Sequence, residues 1–256
     1  MGTVSKALEL LGYFTQQRTH IGLSEFARIS GMNKATVYRM LTELQAAGII
    51  EQTGADKNYR LGTEVLRLAK LREVAVPMLN IVRPILRRLC ADTGETSHFS
   101  LIQGGALVSV AHAYSSTHAT QVMMDDAESL PYHSTSSGMS ALAYSDPAIV
   151  DDVLSSPLQR YTENTITDPD VIRAQLIDVR AKGYYHHIGS FEEDVISCAA
   201  PIFDAEGKPL GAVAVAAPSN RVTDIMPIAE HVVAAAAEIT LGTGGAHPSS
   251  YPIAAE

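Results

Sequence analysis

The side chains in this chain best suited to chemistry are its histidines and cysteines, and their spacing does not gather them. His98, His112, His118 and His133 fall on separate predicted strands or loops. The adjacent pair His186–His187 cannot chelate from one face of a strand, because neighbouring strand residues point to opposite faces. No HExxH or CxxC occurs, so no metal site is predicted. Cys198 with a nearby histidine would make a nucleophile and base, but a cysteine in a buried strand is inert. With no GxSxG elbow, Walker loop or GxGxxG, the sequence predicts neither an enzyme nor a cofactor. Two other stretches carry chemistry. In "HSTSSGMSA", residues 133–141, hydroxyl residues join a strand end to a helix start, where unpaired backbone N–H groups suit an anion. In "GMNKATVYRMLTELQAAG", residues 31–48, basic, hydroxyl and phenolic side chains crowd the first turns of a helix.

The elements around the second stretch give it a purpose. Val4, Ala7, Leu8 and Leu11 recur at helical spacing, predicting a helix over 4–14. Ser24 can cap a second helix through Ser30, and Gly31 permits a tight turn. Asn33 is a good N-cap for a third helix, whose inward stripe is Val37, Met40, Leu41 and Leu44 and whose stop is Gly48. "GIIEQT" and "YRLG" around "GADKN" predict a hairpin, here a wing. Two helices joined by a short glycine turn after an anchoring helix have helix-turn-helix spacing. Lys34, Thr36, Tyr38, Arg39 and Thr42 lie off the apolar stripe, where such a helix meets base edges and phosphates. The wing adds Lys57 and Arg60 to the predicted DNA-binding set.

Charge supports this division. The whole chain carries a formal −9, which argues against DNA binding, but residues 1–75 hold 10 Lys and Arg against 7 Asp and Glu. Residues 76–256 hold 9 against 21, so a basic module precedes an acidic body. At 46% hydrophobic, the chain can bury a sizeable core. Two cysteines make no disulfide framework and suit a reducing cytoplasm. No apolar run approaches the roughly 18 residues of a membrane span, and no signal-peptide pattern opens the chain.

The sequence predicts an α+β chain in four parts. A winged helix-turn-helix domain covers 1–62 and a linker helix covers 63–75, with Pro77 beyond it. A body of helices and antiparallel strands covers 76–242, and 243–256 is predicted to be a disordered tail. In the body, "LNIVRPILRRLCADTG" is an amphipathic helix. "TSHFSLIQ", "ALVSVAHAY" and "HATQVMM" read as strands, and "DPDVIRAQLIDVRAKG" as a helix. "ISCAAPIFD" and "LGAVAVAAP" read as a buried hairpin, followed by a final helix over about 224–241.

Both halves resemble the IclR family of bacterial transcriptional regulators. The carrying stretches are "VSKALELL", "GLSEFARISGMNKATVYRMLTELQAAGII" and "YRLG", then "TGETSHFSLI", "LPYHSTSSGMSALA", "KGYYHH" and "EEDVISCAAPIFDAEGKPLGAVAVAAP". The resemblance covers roughly 4–240 in the expected order. One departure is Ala35, where the family usually has serine before Thr36. The resemblance implies a GAF-like antiparallel sheet in the C-terminal domain and an effector carboxylate held at the helix start, on the amides of Ser136, Ser137 and Gly138. It points to Ser197 and Cys198 as pocket positions, alternation sending one inward, with Ser197 favoured. Asp194 stands where the family often has glycine.

Ala214 and Ala216 stand where some members present serines, so the ligand expected here is less polar, an acid with an aromatic or otherwise apolar body, against a wall of Val122, Met124 and Leu130. His133, then His187, are the histidines expected to touch it. The implied protein is a ligand-responsive regulator. Its expected partners are double-stranded operator DNA, a small organic acid and further copies of itself, as a homodimer or homotetramer, with no membrane partner. An enzyme on a GAF-like body, or a ligand-insensitive architectural DNA binder, is the alternative.

Overall fold

The computed structural model describes residues 2–14, 18–53, 57–75, 77–124 and 129–252. It divides the chain into two units, Met1–Pro77 and Met78–Glu256.

In the first unit, α1 (Thr3–Leu11), α2 (Leu23–Ser30) and α3 (Lys34–Ala46) surround an apolar centre. Val37, Met40, Leu41 and Leu44 of α3 meet Leu10, Phe26, Ile21 and Tyr59 there. Asn33 caps α3, its Oδ1 accepting from the Ala35 amide at 2.8 Å. Gly31, at φ +66°, makes the left-handed turn between α2 and α3 that a side chain would strain. Gly22, not Ser24, precedes α2, so Ser24 lies inside the helix rather than capping it.

Strands β1 (Ile50–Thr53) and β2 (Asn58–Leu61) form the antiparallel wing, whose tip at 54–56 lies outside the described residues. Tyr59 also pairs with Ile21 through two backbone hydrogen bonds of 2.9 and 3.0 Å, tying the wing to the segment before α2. Helix α4 (Thr63–Ala75) follows. It leaves Leu66 72% exposed, with Leu71 and Val74 also exposed, as are Val4 and Leu8 of α1.

The second unit is built on a six-stranded antiparallel sheet. Its elements in order are α5 (Met78–Thr93), β3 (Thr96–Gln103), β4 (Ala106–Ala113) and β5 (Ser129–Leu130). Then come α6 (Ser136–Leu142), α7 (Pro147–Ser155), α8 (Pro169–Lys182) and β6 (Tyr185–Ile188). The unit closes with β7 (Val195–Phe203), β8 (Pro209–Pro218) and α9 (Met226–Gly242). The strand order is β5-β4-β3-β8-β7-β6. Alternation gives the sheet two apolar faces. Phe99, Val213, Val215, Ala200 and Ile202 pack with Leu86, Val232 and Ile239 of α5 and α9. Ala212, Leu107 and Leu130 pack with Met139 of α6 and Ile172 and Leu176 of α8.

The predicted strand "HATQVMM" is not one. Residues 118–124 run without strand structure, and only Ser129–Leu130 pair with β4. Helix α7 and strand β6 are additions to the sequence reading. The tail expectation fails for 243–252, while 253–256 lie outside the described residues. Tyr251 is buried, stacks on His247 at 4.8 Å, meets Phe203 edge-on at 5.3 Å and donates to the Gly183 carbonyl. The Ala246 amide donates to the Asp204 carbonyl at 2.9 Å. Apolar rings far apart in sequence hold a segment whose composition reads as loop.

Candidate ligand site and nucleic-acid interface

A cavity of about 540 Å³, its open mouth included, lies against the α6 face of the sheet. Its floor follows from strand register. Ala216 sits opposite Ser197, and Ser197 opposite His187, so three strands place these side chains in one row. His98 stands one row along, opposite Ala214. The start of α6, Ser134 to Ser137, closes one side, and Val122, Met124 and Leu130 make an apolar wall. Ser190, Phe191, Glu192 and Val195 complete the rim. No lysine or arginine is among the described lining residues.

Each part is held by identifiable bonds. Thr135 caps α6, its Oγ1 accepting from the Gly138 amide at 3.0 Å. The amides of Ser136 and Ser137 have no acceptor among the described residues, so they remain open to a ligand. Ser136 Oγ donates to the Ser197 carbonyl at 2.9 Å and lies 2.7 Å from Ser197 Oγ. The wall is fixed by Thr96 Oγ1 donating to the Val122 carbonyl at 2.9 Å and by the Tyr114 hydroxyl on the Met124 backbone. Nearby, Arg221 donates to both carboxylate oxygens of the buried Glu95 at 2.6 Å and to the Thr120 carbonyl, anchoring the segment that carries Val122.

Burial disfavours the charged form of both cavity histidines. Desolvation and the neighbouring His112 lower the His98 pKa to about 4. Desolvation also lowers that of His187.

Of the thirteen residues expected here, Val122, Met124, Leu130, Ser136, Ser137, His187, Ser197 and Ala216 line the cavity. The other five do not. Cys198 faces the opposite side of the sheet, opposite Val215, and burial raises its thiol pKa to about 12. Ala214 is wholly buried one row from Ala216 on the face that α6 covers, where small residues let the helix lie close. Gly138 spends its amide on the cap. A Cβ there would come within 2.5 Å of the Pro131 carbonyl and of Tyr132 Cα, so its glycine serves close packing. His133 turns away, with Nε2 2.8 Å from the Gln159 carbonyl. Asp194 is exposed beyond the rim, where Glu192 takes the place beside the cavity. Sequence reasoning missed His98, Ser134, Thr135, Ser190, Phe191, Glu192 and Val195. Ser134 and Thr135 lie inside the "HSTSSG" motif, and Phe191 to Val195 adjoin the predicted pocket strand. His98 carries no local pattern that marks it.

In the first unit, Lys34, Thr36, Tyr38, Arg39 and Thr42 are all exposed on α3. Tyr38 and Thr42 share a groove with Lys57 of the wing, together with Gln45 and Gln52, which sequence reasoning did not single out. Thr36 and Arg39 lie on the adjoining face beside Lys6. Three of the named groups are partly occupied. Lys34 Nζ donates to Ser24 Oγ at 2.8 Å, Thr42 Oγ1 donates to the Tyr38 carbonyl at 2.9 Å, and Arg60 pairs with Glu51 at 2.5 Å.

A winged helix-turn-helix with a polar helix face, joined to a separate small-molecule cavity, defines a ligand-binding transcriptional regulator. The helix-turn-helix family model of IclR matches residues 3–54, and that of the bacterial transcriptional regulator IclR C-terminal domain matches 73–241. The chain belongs to the IclR family. It is 27% identical to the transcriptional repressor IclR of Escherichia coli K12 over 252 residues, covering 95% of this chain and 90% of that one. It is 30% identical to the glycerol operon regulatory protein of Streptomyces coelicolor over 83% of each chain. Among solved structures, a protein assigned as an IclR transcriptional regulator from Silicibacter sp. TM1040 is 53% identical, with a TM-score of 0.89 and 99% of this chain covered against 100% of that one. An IclR homologue from Microbacterium hydrocarbonoxydans, solved with 4-hydroxybenzoate, is 26% identical, with a TM-score of 0.60 and coverage of 94% and 99%.

Proposed function

We propose that the cavity binds a small carboxylic acid with an apolar, aromatic body, and that occupancy changes operator affinity. The observation that carries this is the cavity's two-sided lining. Open amides of Ser136 and Ser137 stand on one side, and Val122, Met124, Leu130 and Ala216 on the other. A carboxylate gains hydrogen bonds and a favourable dipole at the helix start, while the apolar wall offers a compact two-carbon acid little to bond. The 4-hydroxybenzoate complex of the Microbacterium homologue supports the aromatic class.

The DNA contacts are assigned to Lys34, Thr36, Tyr38, Arg39, Thr42 and Lys57, exposed on α3 and the wing, with Arg60 held in reserve by Glu51. The protein acts as a homo-oligomer, at least a dimer, reading a partly symmetric operator. The exposed Val4, Leu8, Leu66, Leu71 and Val74 give the first unit apolar surface for a second copy, and paired half-sites multiply the contacts of one module. A ligand acts only through differential affinity for two arrangements, and α4 is the segment that links the units in sequence.

Calorimetry of aromatic and aliphatic acids tests the effector class. Benzoate-type acids bind more tightly than glyoxylate or pyruvate if the reading holds, and the reverse order overturns it. Ala216→Leu fills the cavity and abolishes acid binding while leaving operator binding intact.

A further inference from the structure

Most of the cavity is held by backbone pairing, but part of its apolar wall is not. Leu130 belongs to β5 and pairs with β4, and His187, Ser197 and Ala216 stand in the ladders of the main sheet. Val122 and Met124 lie in a segment, 118–124, without strand structure. Among the described residues, no backbone–backbone hydrogen bond joins 115–124 to the rest of the chain. Side chains hold this segment instead. The Tyr114 hydroxyl donates to the Met124 carbonyl and accepts from the Met124 amide, both at 3.1 Å. A phenol has one hydrogen to give, so Tyr114 commits its donor and an acceptor site to one residue of the wall. Thr96, opposite Ala216 on β3, donates its hydroxyl hydrogen to the Val122 carbonyl at 2.9 Å. Arg221, held by Glu95, donates to the Thr120 carbonyl at 3.1 Å.

This arrangement separates two tasks. The amides of Ser136 and Ser137 are set by α6 and its bond to β7. Val122 and Met124 are set by hydroxyls that are not among the cavity's lining residues. An apolar body gains affinity with the apolar surface it covers, and only where the wall stands against it. Resting on the carboxylate reading above, we propose that Tyr114 and Thr96 are positioning residues for effector binding. Their hydroxyls hold Met124 and Val122 against the apolar body of the acid, and so set how sharply the cavity distinguishes a larger body from a smaller one.

Calorimetry on the full-length protein with propanoate, butanoate, pentanoate and hexanoate tests this. In the wild type each added methylene tightens binding about fourfold, the gain expected for a methylene removed from water. In Tyr114→Phe and in Thr96→Val that gain falls below about twofold, while propanoate affinity stays within about threefold. A general loss of stability weakens all four acids by one common factor and leaves the gain per methylene unchanged, so the gain separates positioning from a merely structural role. Either variant is read alone should the other fail to fold. If a folded variant keeps the wild-type gain, or weakens all four acids alike, the proposal is overturned and the carboxylate reading stands. If the wild type binds none of the four, or binds them all alike, the reading of the cavity as a site for apolar-bodied acids is itself wrong.

Discussion

Ser136 donates its hydroxyl hydrogen to the Ser197 carbonyl, which leaves its oxygen to accept from the Ser197 hydroxyl 2.7 Å away. This pair fastens the first residue of α6 to β7 and so fixes the cavity's polar side. Ser136→Ala removes both bonds in a part-buried setting, and is expected to cost about 1–3 kcal/mol. Ser197→Ala leaves the bond to its own carbonyl in place and costs less. Urea unfolding of the two variants measures the order, and an equal or reversed order contradicts the assignment.

The lowered pKa of His98 sets a pH dependence. In the unfolded chain its imidazole titrates near 6.5, while in the fold it titrates at about 4. Between those values the unfolded chain binds a proton that the folded one does not, so stability is lost as pH falls through this window. The loss is on the order of 2–3 kcal/mol by pH 4. Unfolding free energies of wild type and His98→Asn at pH 7 and pH 5 show it as a steeper fall in the wild type. Parallel slopes would mean that His98 is not buried as described.

Arg39 and Arg60 separate the α3 face from the wing. Arg39 is exposed with no ion pair among the described residues, whereas Arg60 is held by Glu51. Arg39→Ala is expected to weaken operator binding by about 1–3 kcal/mol if it meets a base edge, and evenly across sequences if it meets phosphate. Arg60→Ala has the smaller effect, since Arg60 must give up its pairing with Glu51 to reach the DNA. Fluorescence anisotropy over a range of salt concentrations distinguishes these outcomes, and unchanged affinity in Arg39→Ala removes it from the interface.

Tyr251 ties the C-terminal segment to the body. Tyr251→Ala removes its stacking on His247, its edge contact with Phe203 and its bond to Gly183, at about 2–4 kcal/mol. Denaturant unfolding of the variant reports it, and a change under about 0.5 kcal/mol, the usual range for surface substitutions, would show that the segment contributes little.

What the sequence made legible is what short-range periodicity controls. The buried stripe of α3, the Asn33 cap and the Gly31 turn stand where spacing put them, because each depends on residues a few positions apart. Alternation likewise put Ser197 and Cys198 on opposite faces of β7. The misreadings depend on contacts between distant segments. Ala214 and Ala216 look alike in the strand, yet only Ala216 of the two lines the cavity, while Ala214 is wholly buried. His133 adjoins the motif but is drawn to a carbonyl 26 residues away. The tail's composition is that of a loop, and contacts with distant segments, among them the rings of Phe203 and Tyr144 around Tyr251 and the Ala246–Asp204 backbone bond, make it ordered.

Coupling between the cavity and DNA binding is the central claim, and one titration tests it most directly. Labelled DNA from upstream of the protein's own gene is titrated with full-length protein, with and without a saturating aromatic acid shown by calorimetry to bind. The account predicts that the acid changes operator affinity at least fivefold, the lower end of ordinary allosteric coupling, and that Ala216→Leu abolishes the change without altering affinity in its absence. An operator affinity that stays within twofold at full occupancy of the cavity would contradict it.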